Sequence, residues 1–172
     1  MKTLAFILSL TVLAANRAPQ PYDLLIKGGR IIDGTGNPAY HSDIAIQNGK
    51  IVAIGRNLGP AKETLNAKGM VVAPGFIDVH THAENVTDLP DAENYTRMGV
   101  TSIVVGNCGS SAPNVATFLK QVDGKAAVNV ATLVGHNTVR SAAMGGSFDR
   151  PPTTAELKRM RTAVDNAMRQ GA

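Results

Sequence analysis

The histidine pair in the segment Asp78-Val79-His80-Thr81-His82 has a spacing that suits metal binding. Side chains two positions apart in a β-strand point to the same face, so His80 and His82 are predicted to converge on one side. Imidazole nitrogen is a good ligand for zinc, iron or nickel. Two histidines do not define a metal site by themselves, and a pair of solvated loop histidines is the alternative.

Cys108 is the only cysteine of the chain and follows the apolar run Val104-Val105. A thiolate near a divalent cation is deprotonated and binds strongly, whereas a free cysteine elsewhere is commonly a small buried apolar residue. His136 follows Leu133-Val134-Gly135 in the same way. It is predicted either to contact metal or substrate, or to hydrogen-bond a group that does. Three successive strands thus bring His, Cys and His to their carboxyl ends.

The elements that position these residues fall into two parts. The segment from Tyr22 to Ala73 shows short strands separated by turns and predicts a small antiparallel sheet. Asn48-Gly49 predicts a two-residue hairpin, because both of its residues must adopt positive φ. Gly28-Gly29 predicts a turn between two strands, and residues 63–66 and 70–73 predict a second hairpin.

Strands and helices alternate after Pro74-Gly75. This pattern predicts a parallel sheet of class α/β with right-handed crossovers. Three βα units are too few to close a barrel, which takes eight. The predicted strands are Phe76–His80, Thr101–Val105 and Ala127–Val134, and the predicted helices are Pro90–Met98, Asn114–Val122 and Thr153–Gln170, the last with a Thr153/Glu156 capping box.

A family resemblance rests on three segments. The run from Ala73 to His82 resembles the first-strand signature of the amidohydrolase superfamily, and the runs 99–109 and 134–140 resemble its N-acyl-D-amino-acid deacylase (D-aminoacylase) branch. The resemblance implies a (β/α)8 TIM barrel with a small β-sandwich. Residues 22–73 then supply the N-terminal part of the sandwich, and residues 74–172 supply the first three βα units of the barrel.

The resemblance also implies a site and a reaction. His80 and His82 correspond to the first-strand metal ligands, and Cys108 corresponds to the thiolate ligand of this branch. The implied activity is hydrolysis of the amide bond of N-acyl-D-amino acids, a small-molecule substrate, by a metal-activated water. The family's two later histidines and its catalytic aspartate have no counterpart in these 172 residues, so weak or no turnover is expected of them alone.

The cofactor and the alternatives follow from the same residues. One or two Zn²⁺ ions are expected because zinc suits a mixed histidine and thiolate set, with another divalent metal as the alternative. The alternatives for function are a hydrolase of cyclic amides and an inactive metal-binding protein. Asp78, Glu84 and Arg140 are candidates for contacts to substrate or for support of the ligands, with structural or solvated roles as the alternatives.

Residues 1–15 predict a secretory signal peptide. Lys2 precedes an uncharged apolar run that ends in Ala14-Ala15 and is too short to span a membrane. The protein is therefore expected to be exported from a bacterial cell and free of the membrane after cleavage. The net charge of +4 is dispersed and aromatic residues make up 4% of the chain, so nucleic acid is not an expected partner.

Overall fold

The computed structural model describes residues 21–146 and 149–172, and the predicted signal peptide lies outside them. The chain divides into two units, the first ending at Pro74 and the second comprising Gly75–Ala172. Within the described residues, no helix has the length and apolar character needed to cross a membrane.

The first unit is built on a five-stranded mixed sheet in the order β3-β2-β1-β4, with β5 also paired to β1. The β2–β3 hairpin turns at Asn48 and Gly49, with φ of 52° and 71°, which confirms the predicted turn. The strands are β1 Tyr22–Ile31, β2 Tyr40–Gln47, β3 Lys50–Gly55, β4 Ala61–Asn66 and β5 Val71–Val72.

Three predictions for this unit are wrong. The sheet is mixed and not antiparallel throughout, because β4 and β5 run parallel to β1. Gly28-Gly29 does not separate two strands: β1 runs through them with a bulge, where Gly28 has φ 72° and its N–H donates to Asp43 Oδ1 at 2.8 Å. The second hairpin is absent, because β4 and β5 both run parallel to β1 and pair with successive parts of it. Ala67, in the connection between them, donates its N–H to the carbonyl of Lys27 in β1 at 2.8 Å and so continues the pairing with β1.

The second unit contains a three-stranded parallel sheet in the order β6-β7-β8, which confirms the predicted alternation of strands and helices. Its strands are β6 Phe76–Asp78, β7 Val100–Val105 and β8 Asn129–Thr132, and its α-helices are α1 Glu93–Thr96, α2 Val115–Val122, α3 His136–Met144 and α4 Thr154–Arg169; short 3-10 helices cover Glu84–Thr87 and Asn107–Gly109.

The core of this unit lies on one side of β7. Ile103 and Val105 are buried and pack with Phe118 and Val122 of α2, while Ser102 and Val104 point to the other side and are half-buried. The β-branched run Thr101–Val105 is typical of a strand buried on both faces. From Ser102 to Val105 the burial instead alternates between half-buried and buried side chains, because successive strand side chains point to opposite faces.

The observed helix boundaries show which sequence signals predicted the start of a helix correctly. Asn114 caps α2 by accepting from Thr117 N–H at 2.9 Å, and the Thr153/Glu156 capping box of α4 is present, as predicted. The predicted helix Pro90–Met98 is reduced to α1, because Ala92 adopts a left-handed conformation. Helix α3 was not predicted: Gly135 at its start offers no side-chain cap, and its buried residues pack on Met160 of α4.

Candidate metal centre

The two histidines follow β6 directly and do not belong to it. The strand ends at Asp78, whose Oδ1 accepts from the His80 N–H at 3.2 Å. Thr81 between the histidines is buried, and its N–H and Oγ1 both donate to the carbonyl of Val104, at 3.1 and 2.9 Å. With Thr81 held inward, His80 and His82 are both exposed, their ring centroids 5.8 Å apart. The alternation of exposed and buried side chains that is expected of a strand thus continues beyond the end of β6.

Cys108 lies in a tight turn that follows β7. Gly106, Cys108 and Gly109 all have left-handed backbone conformations, with φ of 83°, 54° and 89°. Glycine is required at position 106 because an added Cβ would lie 2.5 Å from the Leu133 carbonyl oxygen. A left-handed conformation is uncommon for a cysteine and must be held by surrounding contacts. The turn leaves the free thiol of Cys108 exposed.

The structure brings the three predicted ligands together. One ligand atom each from His80, His82 and Cys108 lies within 4.8 Å of the others, and His80 Nε2 is 3.4 Å from Cys108 Sγ. Two ligands of one tetrahedral zinc ion are separated by roughly 3.3–3.8 Å, given typical Zn–N and Zn–S distances. The donor types and their spacing therefore fit a divalent cation. Within residues 21–146 and 149–172, no second group of three such ligands occurs.

The other predicted site residues do not belong to this group. His136 is exposed at the first position of α3, and Arg140, one turn later, donates through Nη2 to the carbonyl of Arg150. Glu84 is half-buried and accepts from the N–H of Gly106 through Oε1 at 3.0 Å. Contacts of these residues and of Asp78 with a substrate stay predictions.

Three functional candidates were missed from the sequence. The Asn107 Nδ2 donates to the carbonyls of Val104 and Thr81, at 2.9 and 3.3 Å, and so links the cysteine turn to the histidine segment. Ser111 and Thr138 link the same turn to the start of α3: Ser111 Oγ accepts from Gly135 N–H, and Thr138 Oγ1 accepts from Ser111 N–H, both at 2.9 Å. The only sequence signal was their position beside Cys108 and His136.

Comparison with known proteins agrees with this geometry. Residues 63–172 match the amidohydrolase family. The chain belongs to that family. The match confirms the predicted family and includes all three residues of the candidate metal centre.

Members of the deacylase branch are the relatives that bear most on this amidohydrolase chain. An N-acyl-D-aspartate deacylase of Alcaligenes xylosoxydans xylosoxydans is 37% identical over 181 residues, covering 90% of this chain and 36% of that protein. The crystal structure of an N-acyl-D-glutamate deacylase from Bordetella bronchiseptica, complexed with zinc and a phosphonate inhibitor, is similar with a TM-score of 0.78 and 36% identity. That likeness covers 87% of this chain and 37% of the other.

A D-aminoacylase structure with a binuclear metal centre is similar with a TM-score of 0.81 and 31% identity, covering 88% of this chain and 37% of that one. The chain thus spans a little over a third of the length of these relatives.

Proposed function

We propose that this chain supplies the metal-binding part of a hydrolase that cleaves the amide bond of N-acyl-D-amino acids. The observation that carries the proposal is the convergence of His80, His82 and Cys108 at the carboxyl ends of two parallel strands. This is the edge of a parallel sheet at which α/β enzymes form their sites. Similarity to three deacylases that act on D-amino-acid derivatives supports the substrate class.

The residues of the proposed site have separable roles. His80 and His82 offer neutral imidazole nitrogens and Cys108 offers a thiolate, so the set holds one or two divalent ions, with zinc preferred. A divalent ion bound there supplies Lewis-acid chemistry, the activation of water and the polarisation of an acyl carbonyl. His136 and Arg140 share one face of α3 at a spacing of four residues and are the candidates for contact with substrate.

The architecture is proposed from the same family. Residues 22–73 form the N-terminal part of a small β-sandwich, and residues 74–172 form the first three βα units of a TIM barrel. In support, β6 carries Phe76 and Ile77 with 61% and 65% of their surface exposed, as expected of a strand that packs against further barrel strands. We also propose that residues 1–15 act as a signal peptide and that the protein is exported.

Metal binding tests the first step. Zinc is measured by atomic absorption on wild type and on the variants His80→Ala, His82→Ala and Cys108→Ala. His41→Ala is the matched control, because His41 is exposed on β2 in the other unit. We expect the three site variants to lose bound zinc and the control to keep it. Equal zinc content in all five proteins would show that the site is elsewhere.

Hydrolysis tests the second step, on the full-length zinc-loaded protein. The substrates are N-acetyl-D-glutamate, N-acetyl-D-methionine, their L enantiomers and the cyclic amide hydantoin. We expect release of the free D-amino acid and at least a hundredfold lower rate with the L enantiomers. Cleavage of hydantoin alone would assign the site to cyclic amides, and zinc uptake without hydrolysis of any of these compounds would leave a metal-binding protein.

A further inference from the structure

We infer that Glu84 is a positioning residue that holds Cys108 in place for metal binding, although it is not itself a ligand. The inference rests on the metal site proposed above. Its basis is the bond from the Gly106 N–H to Glu84 Oε1, 3.0 Å long, between residues 22 positions apart. This bond joins the segment after His82 to the turn that carries the thiol.

The carboxylate of Glu84 provides a hydrogen-bond acceptor for the buried backbone N–H of Gly106. Gly106 is buried, and a buried backbone N–H without an acceptor costs free energy comparable to a lost hydrogen bond. A carboxylate is a strong acceptor for such a donor, because hydrogen bonds to a charged group are shorter and stronger than neutral ones. Glu84 therefore fixes the first residue of the turn from outside the turn.

The turn needs this restraint because its own backbone is strained. Gly106 and Cys108 are both left-handed, and an L-residue such as cysteine adopts this conformation only at a cost in free energy. If the Gly106 N–H loses its acceptor, the turn can relax toward extended backbone. The thiol then moves away from His80 Nε2, from which it lies only 3.4 Å in the structure.

Two links hold the turn on opposite sides of His82. Asn107 reaches the carbonyl of Thr81, the residue before His82, and Glu84 lies two residues after it. The pair fixes the cysteine turn against the histidine segment. A carboxylate oxygen can be a metal ligand, but the carboxylate of Glu84 is not part of the group formed by His80, His82 and Cys108. Its role is therefore to position a ligand.

The test compares Glu84→Gln with Glu84→Ala. Gln keeps an oxygen that accepts from Gly106 N–H, whereas Ala removes the acceptor. Glu93→Ala is the matched control, because Glu93 is an exposed carboxylate whose ion pair is with Arg97, the residue that directly follows the same helix. Each protein is titrated with Co²⁺, whose thiolate-to-metal charge-transfer absorbance reports Cys108, the only sulfur ligand of this group. Hydrogen exchange of the Gly106 amide is measured by NMR without metal.

We expect Glu84→Ala to bind Co²⁺ about 10–100-fold more weakly, the usual effect of losing a group that orients a ligand. Its charge-transfer absorbance per bound Co²⁺ should fall, and Gly106 exchange should accelerate at least tenfold. Glu84→Gln and the control should stay within threefold of wild type in affinity and exchange rate.

Each other outcome overturns a defined statement. Wild-type affinity, absorbance and exchange in Glu84→Ala would refute the positioning role and leave the metal site intact. Equal losses in Glu84→Gln and Glu84→Ala would show that the charge of Glu84 acts, and the hydrogen-bond inference would be wrong. Absence of Co²⁺ binding to wild type would refute the proposed metal site itself, and the inference with it.

Discussion

The Nε2 atom of His80 and the Sγ atom of Cys108 lie 3.4 Å apart, although the residues are 28 positions apart in the chain. Parallel pairing of β6 with β7 brings the two strand ends to the same edge of the sheet. Thr81 fixes this arrangement by donating twice to the carbonyl of Val104 at the end of β7. The proximity is thus a consequence of sheet register.

Bound zinc is predicted to stabilise the second unit. A ligand at one hundred times its dissociation constant raises the free energy of unfolding by about 2.7 kcal/mol. Urea unfolding of wild type is measured in that concentration of zinc and again in chelator. Cys108→Ala should lose most of the difference, and His41→Ala should keep it. An equal zinc effect in wild type and Cys108→Ala would argue that zinc acts elsewhere.

Asn107 is predicted to contribute to both stability and metal affinity. Asn107→Ala removes the donor to Val104 and Thr81, and Asn107→Asp also sets a carboxylate against these two carbonyl oxygens. We expect a loss of about 1–3 kcal/mol in the free energy of unfolding for Asn107→Ala and a larger loss for Asn107→Asp. Urea titration of the metal-free proteins measures it, with Asn94→Asp on exposed α1 as the control. If Asn107→Asp loses no more free energy of unfolding than Asn107→Ala, the assigned contacts are wrong.

Sequence patterns predicted the cluster of His80, His82 and Cys108 better than the contacts that hold it together. His80 and His82 were found because their spacing of two has a direct meaning in extended chain, and Cys108 because it follows an apolar strand. Glu84 and Asn107 act through backbone groups 22 and 26 positions away, and such pairings have no periodic signature. The contact of Glu84 with Gly106 becomes visible only once β6 and β7 are aligned.

The same distinction explains the fold predictions. Asn48-Gly49, the Asn114 cap and the Thr153 capping box are local signals, and the structure contains all three. The parallel pairing of β4 and β5 with β1 is decided by distant partners. Helix α3 begins at Gly135 without a side-chain cap and depends on packing against α4, which the sequence alone did not reveal.

Gly106 is predicted to tolerate no side chain. Gly106→Ala places a Cβ 2.5 Å from the Leu133 carbonyl oxygen, in addition to the cost of φ 83° for an L-residue. Gly145→Ala is the matched control: its φ is 75° and an added Cβ meets nothing within 4 Å. We expect the control to lose about 1–2 kcal/mol in the free energy of unfolding and Gly106→Ala to lose more. Equal losses of stability in the two variants would mean that the turn at Gly106 can shift to accommodate the added Cβ.

The capping box of α4 is predicted to stabilise the α3–α4 pair. Thr153 Oγ1 accepts from the Glu156 N–H at 3.2 Å, and Thr153→Ala removes this acceptor. The expected loss in the free energy of unfolding is about 0.5–2 kcal/mol. Thr162→Ala lies in the middle of the same helix on its exposed side and should be neutral or slightly stabilising, since alanine favours helix. Thermal unfolding followed by circular dichroism distinguishes the two.

Glu156 is predicted to make stability depend on acid pH. The Arg150 guanidinium, which donates twice to this carboxylate, and the Thr153 N–H hold the pKa of Glu156 well below its ordinary value of 4.5. The unfolded state therefore binds a proton first as the pH falls. The contribution of Glu156 to stability is complete above about pH 4.5 and decreases progressively below it.

Other carboxylates contribute to the same trend, because the pKa values of Asp23 and Asp33 are also lowered. The informative quantity is thus the difference in free energy of unfolding between wild type and Glu156→Gln, measured by urea titration from pH 7 to pH 3. We expect this difference to be constant from pH 7 to about pH 5 and to shrink toward pH 3. In an Arg150→Met background the shrinkage should be smaller, since the main cause of the lowered pKa is gone. A difference that stays constant down to pH 3 in wild-type background would show that Glu156 acts through packing and not through its charge.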